Sequence, residues 1–312
     1  MCTAIQVKHP LGAVLGRSMD LETPLAYNAL YFPRGYRFST GLQGEDIRGP
    51  YAVLGMCFND RDPIKDGVNE KGLVGVTNDY RGFHNFIKNP LEGYLNLSSL
   101  HYLNYALTHY GSVEELVDHA PAIRLALRDH LGQDAWCLPF HWMFTDDTKR
   151  CVVVEPHQGK LIIHENPLGV MTNSPSFLSH QRKLEDYLQD QGVMTLNTAK
   201  CLPAGYDPIS RMIRAYVCLV KTPPANSQEE AFSSFYELIS PMVIPRGLLQ
   251  SERFSEDTFT QYISAYDSHE KCMTIQTDRD KSIYRLNLLD LTALTERKSF
   301  YMDRVFKSHP LI

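Results

Sequence analysis

The chain has 312 residues, 43% of them hydrophobic and 21% charged, with a formal net charge of −5. That composition is that of an ordinary globular protein with material for a large core, in one large domain or two small ones. The acidic balance and the lack of a dense Lys/Arg block exclude a general nucleic-acid binder, and no apolar run is long enough to span a bilayer. Seven cysteines (Cys2, Cys57, Cys137, Cys151, Cys201, Cys218, Cys272) are scattered without a CxxC pair, which argues against a disulfide framework and a zinc site. No signal segment precedes Cys2, so a cytoplasmic location is expected.

The first twenty residues carry the strongest chemistry. Removal of Met1 would leave Cys2 with a thiol and a free α-amine on one Cα. The thiolate is the nucleophile, and an α-amine titrating near ~7.7–8.0 is a built-in base, the logic also of N-terminal threonine enzymes. Residues 2–7 and 13–19 read as strands around a Pro10/Gly12 turn. Such a hairpin puts Cys2 opposite the 17–19 segment, with Arg17 to favour the thiolate and Asp20 to orient the amine.

Residues 21–36 read as a loop with a short strand, 52–58 as a buried strand and 59–65 as a turn-rich loop. The Asp60-x-Asp62 spacing lacks the glycine of a calcium loop. Residues 66–73 then read as a turn feeding a strand over 73–80. Helical periodicity runs over 97–110 and 113–129, the second opened by a Ser112 cap and early acids and interrupted by Pro121. From Phe140 the period changes to two, giving strands over 140–145, 151–155, 160–164 and 169–173. Helices are expected over 177–189, 210–220 and 228–239, an irregular stretch over 191–206, and strands over 258–266, 271–276 and 283–287. Helices segregated from mainly antiparallel strands make an α+β layered fold.

Several dispersed motifs resemble the choloylglycine hydrolase family, N-terminal-nucleophile hydrolases that include bile salt hydrolases and penicillin V acylases. They are Met1-Cys2-Thr3 with Arg17-Ser18-Met19-Asp20; Asp66-Gly67-Val68-Asn69-Glu70-Lys71-Gly72-Leu73; Phe144-Thr145-Asp146 with Val154-Glu155-Pro156; Met171-Thr172-Asn173-Ser174-Pro175 followed by His180-Gln181; Ser210-Arg211-x-x-Arg214; Ile244-Pro245-Arg246-Gly247; and Thr260-x-Tyr262. They occur in family order along most of the chain, so their combination is specific where each alone is weak.

The resemblance implies a single domain over 1–312, a four-layer αββα sandwich, loss of Met1, and hydrolysis of a linear amide C–N bond without cofactor or metal. It assigns Cys2 as nucleophile, Arg17 and Asp20 as the pair supporting its charge and amine, Asn173 as side-chain donor of the oxyanion hole, and Arg211 as second active-site arginine, with Arg214 as the alternative register. The substrate-side position after Thr77 falls on Asp79, with Asn78 one register away and Tyr80 beside it. A carboxylate at 79 disfavours acidic ligands unless Arg17 or Arg211 neutralises it. The segment 191–208 is shorter than the family loop that wraps a neighbouring subunit, so the expected homo-oligomer is a tetramer by family habit or a dimer.

Tyr80, Phe83, Tyr94 and Phe140 point to a compact aryl or alkyl acyl pocket, as in penicillin V acylases. A conjugated bile salt is the alternative substrate, and N-acyl-homoserine lactones or N-acyl amino acids are further ones. Two rivals are an inactive binding homologue and an N-terminal-cysteine glutamine amidotransferase, which would need a synthase domain that the later motifs do not provide.

Overall fold

The computed structural model describes residues 1–22, 24–42, 46–190, 202–250, 257–303 and 305. Its centre is the N-terminal hairpin, Cys2–His9 against Gly12–Leu21, closed by the two-residue turn at 10–11. The ladder places Cys2 opposite Met19 and Ala4 opposite Arg17, as the turn chemistry requires. Both strands are almost wholly buried, because the hairpin lies inside a seven-stranded sheet. The order there is Val170–Met171, Cys2–His9, Gly12–Leu21, Asp257–Asp267, Cys272–Thr277 and Tyr284–Asn287, with Leu249–Gln250 paired to Asp257–Asp267 off this path.

An eight-stranded sheet packs against it, ordered Lys160–Glu165, Cys151–His157, Phe140–Thr145, Val74–Asp79, Arg61–Asn69, Val53–Phe58, Tyr27–Phe32 and Lys298–Phe300. Strand side chains alternate between faces, which sorts the hairpin's residues. Even positions of Gly12–Leu21 face helices: a Cβ on Gly16 would lie 2.4 Å from Phe235 Cζ, so only glycine admits that ring. Odd positions face the second sheet, where Arg17 reaches the Thr77 carbonyl.

Helices Pro208–Lys221 and Gln228–Ile239 cover the first sheet, while Tyr102–His109 and Val113–His119 cover the second, giving the expected four α+β layers. Phe177–Asp190 lies against Pro208–Lys221. Among the described residues, no helix is long and apolar enough to cross a membrane.

Three sequence expectations change. Residues 61–69 form a strand rather than a loop and turn, because Lys65 to Val68 alternate between two buried faces. The turn comes later, at 70–72, where Asn69 Oδ1 accepts from the Lys71 and Leu73 amides at 3.0 Å each and Gly72 takes a positive φ of 95°. The second helical stretch stops at His119, although Ser112 caps it as expected through the Glu115 amide at 3.2 Å. Pro121 sits in a 3₁₀ turn at Ala120–Ala122, and Ile123–Leu125 then pairs in parallel with Leu95–Leu97. That pairing also removes 97 from the first helix, which begins at Tyr102. Third, the strand expected over 169–173 does not continue the sheet of the three strands before it; its Val170–Met171 pairs with Cys2–His9 in the other sheet. Of the segment 191–208, residues 191–201 lie outside the described residues.

Candidate active site

Period-two alternation puts Cys2, Arg17 and Met19 on the inter-sheet face. Arg17 Nη2 donates to Cys2 Sγ at 2.7 Å, Nη1 donates to the Thr77 carbonyl, and Asp66 Oδ2 stands 3.6 Å from Nη1. Burial weighs against the Arg17 charge, but Cys2, Tyr262, Asp66 and Asp20 outweigh it and hold the guanidinium above its ordinary value. A permanent cation on the sulfur is a donor for negative charge that develops there. Burial pushes four further thiols, Cys57, Cys151, Cys218 and Cys272, up.

Asn173 follows strand Val170–Met171, which a turn at 166–169 delivers to Cys2–His9. Asn166 braces that turn, accepting from the Gly169 amide at 3.1 Å and donating to the Val170 carbonyl at 3.2 Å. Asn173 Oδ1 accepts from the Cys2 nitrogen at 2.6 Å and from Arg211 Nη2 at 2.8 Å, which fixes the amide's orientation, because both partners are donors. Its Nδ2 donates to the Asp79 carbonyl at 3.1 Å, leaving one N–H of that amide for another acceptor.

Arg211 projects from Pro208–Lys221 and also donates to the Cys2 carbonyl at 2.5 Å and Thr3 Oγ1 at 2.6 Å. Arg214 instead binds the Pro203 and Gly205 carbonyls, so of the two arginines it is Arg211 that meets Cys2. Asp20 is fully buried, its carboxylate accepting from Thr260 Oγ1 at 2.6 Å and Ser18 Oγ at 3.1 Å. Its main-chain carbonyl, not its carboxylate, takes the Met1 amine at 2.7 Å. With Met1 in place the Cys2 nitrogen is a peptide N–H.

Strand Val74–Asp79 separates the substrate-side candidates. Asp79 lines a cavity of about 470 Å³ that also holds Cys2 and Arg17, within the usual range for small-molecule sites. Asn78 points elsewhere, its Nδ2 donating to the Thr172 carbonyl at 3.0 Å. Tyr80 does not line the cavity; it stacks on His141 with centroids 4.6 Å apart. Burial raises the Asp79 carboxyl, while Arg81 Nε at 3.1 Å opposes this. Arg81, and neither Arg17 nor Arg211, is thus the neutralising partner. Of the four aromatics expected at the pocket only Phe140 lines it; Phe83 and Tyr94 are exposed, and Trp136, Leu138, Leu100 and Phe58 supply the apolar wall.

Two groups of residues escaped the sequence reading. Asp66 is buried behind Arg17, accepting from Tyr266 at 2.6 Å, Tyr262 at 2.7 Å and Ser264 at 2.8 Å. His141 and His180 hold the 172–173 main chain, their Nε2 atoms meeting the Thr172 and Asn173 carbonyls at 2.9 and 2.8 Å. Nothing in local pattern marks these as neighbours; the motif positions of Asp66 and His180 were the available signal.

Glu155 anchors the second group, with His164 Nε2 at 3.3 Å, His141 Nδ1 at 3.6 Å and the Phe177 amide at 2.7 Å. Burial opposes the charge, but these donors hold the carboxyl down at about 2. The folded value lies below the unfolded one, so the stabilisation is complete above the ordinary carboxylate range and lost as pH falls toward 2. Urea unfolding of the wild type should weaken by up to about 3 kcal/mol across that window, and Glu155→Gln should flatten the decline. An unchanged slope in the variant would remove Glu155 from the acid response.

A family model for linear amide C–N hydrolases, the choloylglycine hydrolase family, matches residues 2–299. The bile salt hydrolase/transferase of Clostridium perfringens is 27% identical over 310 residues, covering 92% of this chain and 89% of that protein. The protein of that name from Bifidobacterium longum subsp. longum is 25% identical over 296 residues, covering 86% and 92%. In fold, a mutant conjugated bile acid hydrolase from Clostridium perfringens superposes with a TM-score of 0.87 at 24% identity, covering 100% of both chains. Penicillin V acylase from Agrobacterium tumefaciens gives 0.78 at 20% identity, covering 96% of this chain and 90% of that one. The chain belongs to the choloylglycine hydrolase family and is an amidase acting on linear amide C–N bonds.

Proposed function

We propose that loss of Met1 exposes Cys2 as an N-terminal nucleophile that cleaves N-acyl amides through an acyl-thioester. The observation that carries this reading is the convergence on one residue: Arg17 on its sulfur, Asn173 Oδ1 on its nitrogen and Arg211 on its carbonyl. With Met1 gone, the same Asn173 oxygen would hold the amine. The sulfur attacks the amide carbon, the amine takes the thiol proton and passes it to the leaving nitrogen, and water then releases the acid from the thioester.

Two donors suit the oxyanion. One is the remaining Asn173 Nδ2 hydrogen. The other is the Asp79 main-chain N–H. Ladder groups alternate sides along a strand, and the Tyr80 amide goes to the Pro139 carbonyl. Asp79 therefore turns toward Arg61–Asn69, whose pairing with this strand ends at Asp66↔Val76. Each such donor is worth ~10²–10³ in rate.

For the acyl group we propose a compact aryl or alkyl unit, as in penicillin V, seated against Phe58, Phe140 and Trp136. Conjugated bile salts are the second reading, favoured by the bile salt hydrolase/transferase relatives. Intact mass and initial rates on penicillin V and on glycine- and taurine-conjugated bile salts test both. Loss of one methionine with cleavage of penicillin V is the expected result. Cleavage confined to bile salts would replace the first acyl reading by the second. A retained Met1 in turning-over enzyme would overturn the nucleophile assignment.

A further inference from the structure

One cation on the cavity wall has no part in the chemistry above. Lys65 is 4% exposed and lines the cavity with Cys2. Its Nζ sits between two wall rings, 5.0 Å from the Phe58 centroid and 5.4 Å from that of Phe140. Ring faces stabilise a cation weakly, and among the described residues no carboxylate or carbonyl meets this ammonium. A buried cation without a counter-charge is costly, so its natural complement is an anion that arrives with the ligand.

The other charges around it do not supply that complement. Arg17 is bound to Cys2, Thr77 and Asp66, and Asp79 on the same wall is paired with Arg81. Asp62, also on the wall, keeps a buried Oδ1 without a hydrogen-bond partner, and burial raises it to about 6 against the pull of Arg297. His101, near the start of helix Tyr102–His109, is depressed to about 4 by burial and then by Lys65, so it stays neutral. Burial, with Arg17 adding to it against Cys57 and Asp66, lowers Lys65 to about 7.

We propose that Lys65 is a specificity-determining residue that selects an acyl group bearing a carboxylate at its far end. The inference rests on the acyl-binding role of the cavity proposed above. Lys65 touches neither Cys2 nor the oxyanion donors, so it governs which acyl group is accepted rather than the bond cleavage itself. A charge-assisted contact of this kind corresponds to at least about tenfold in selectivity.

The test uses three amides of one chromogenic amine: hexanoyl, 6-hydroxyhexanoyl and adipoyl, the last ending in a carboxylate. In wild type the adipoyl-to-hexanoyl ratio of kcat/KM should reach about tenfold at pH 6 and fall as pH rises past about 7, where the free Lys65 loses its proton. Lys65→Met should bring the ratio to about one or below, Lys65→Arg should keep it and remove its pH dependence, and Asp62→Asn should raise it. A ratio unmoved by Lys65→Met overturns the proposal, and a 6-hydroxyhexanoyl preference lost in Lys65→Met replaces the carboxylate by a hydroxyl. Calorimetry of adipate and hexanoate on Cys2→Ala, with and without Lys65→Met, reads the same selectivity without turnover. Lys65-dependent adipate binding beside an enzyme that cleaves no amide would sink the amidase mechanism and leave this inference standing; equal binding of both acids would sink the inference alone.

Discussion

Cys2→Ala should abolish amide turnover while leaving the fold intact. Removing the nucleophile of an acyl-transfer site costs on the order of 10⁴–10⁶ in kcat, because the oxyanion donors and the cavity remain but no covalent intermediate can form. The structural cost is small: one sulfur leaves a buried site, and Arg17 keeps the Thr77 carbonyl and Asp66. The unfolding midpoint should therefore shift by only about 1 kcal/mol equivalent. Steady-state rates and urea denaturation on the same preparations separate the two effects. Residual activity within tenfold of wild type would exclude Cys2 as nucleophile, and a collapse in stability would make any rate loss uninformative about chemistry. Electrospray mass of wild type incubated with a slow substrate should show an acyl adduct that Cys2→Ala lacks.

Asp66→Ala should be the most destabilising single change near the site. Asp66 is fully buried and takes three hydroxyl donors while standing 3.6 Å from Arg17 Nη1. Truncation leaves a guanidinium buried between two sheets without its counter-charge and strands the Tyr262 hydroxyl, while that of Tyr266 keeps the Asp66 main-chain carbonyl at 3.1 Å. Breaking a buried pair in this way costs about 3–5 kcal/mol. Activity should fall with it, since Arg17 is free to turn from Cys2 Sγ toward any remaining acceptor. Asp66→Asn is the informative companion: it keeps one acceptor oxygen and the volume but removes the charge, so it should recover part of the stability and less of the activity. Denaturation midpoints for the three proteins check this. A loss under 1 kcal/mol for Asp66→Ala would mean that Arg17 is held by Thr77 and the thiol alone.

The two variants probe different depths of legibility. Cys2, Arg17 and the hairpin between them were readable because the information is local. Apolar alternation marks the strands, and Pro10 and Gly12 mark a turn that brings Cys2 opposite the 17–19 segment; the structure narrows that turn to two residues and the register to 2 opposite 19. Asn173 and Arg211 were readable only through motifs, since 171 and 209 residues separate each from Cys2 and no periodicity reports such a contact. Asp66 was in a motif yet read as a turn, because Gly67 and Asn69 resemble turn residues until a partner strand supplies the ladder. The pocket aromatics misled for a related reason: composition near the site does not say which rings face inward.

What the sequence by itself determined is most of the order of elements, the α+β class, the family, and the chemistry that an N-terminal cysteine can perform. Tertiary structure alone decided which face each candidate occupies. It turned Asn78 and Tyr80 away from the cavity, paired Asp79 with Arg81, put Asp66 behind Arg17 and left Lys65 on the wall with no ion pair among the described residues. The physical reason is that a charge's effect depends on distance and burial, and these are properties of two sheets packed face to face rather than of either strand read alone.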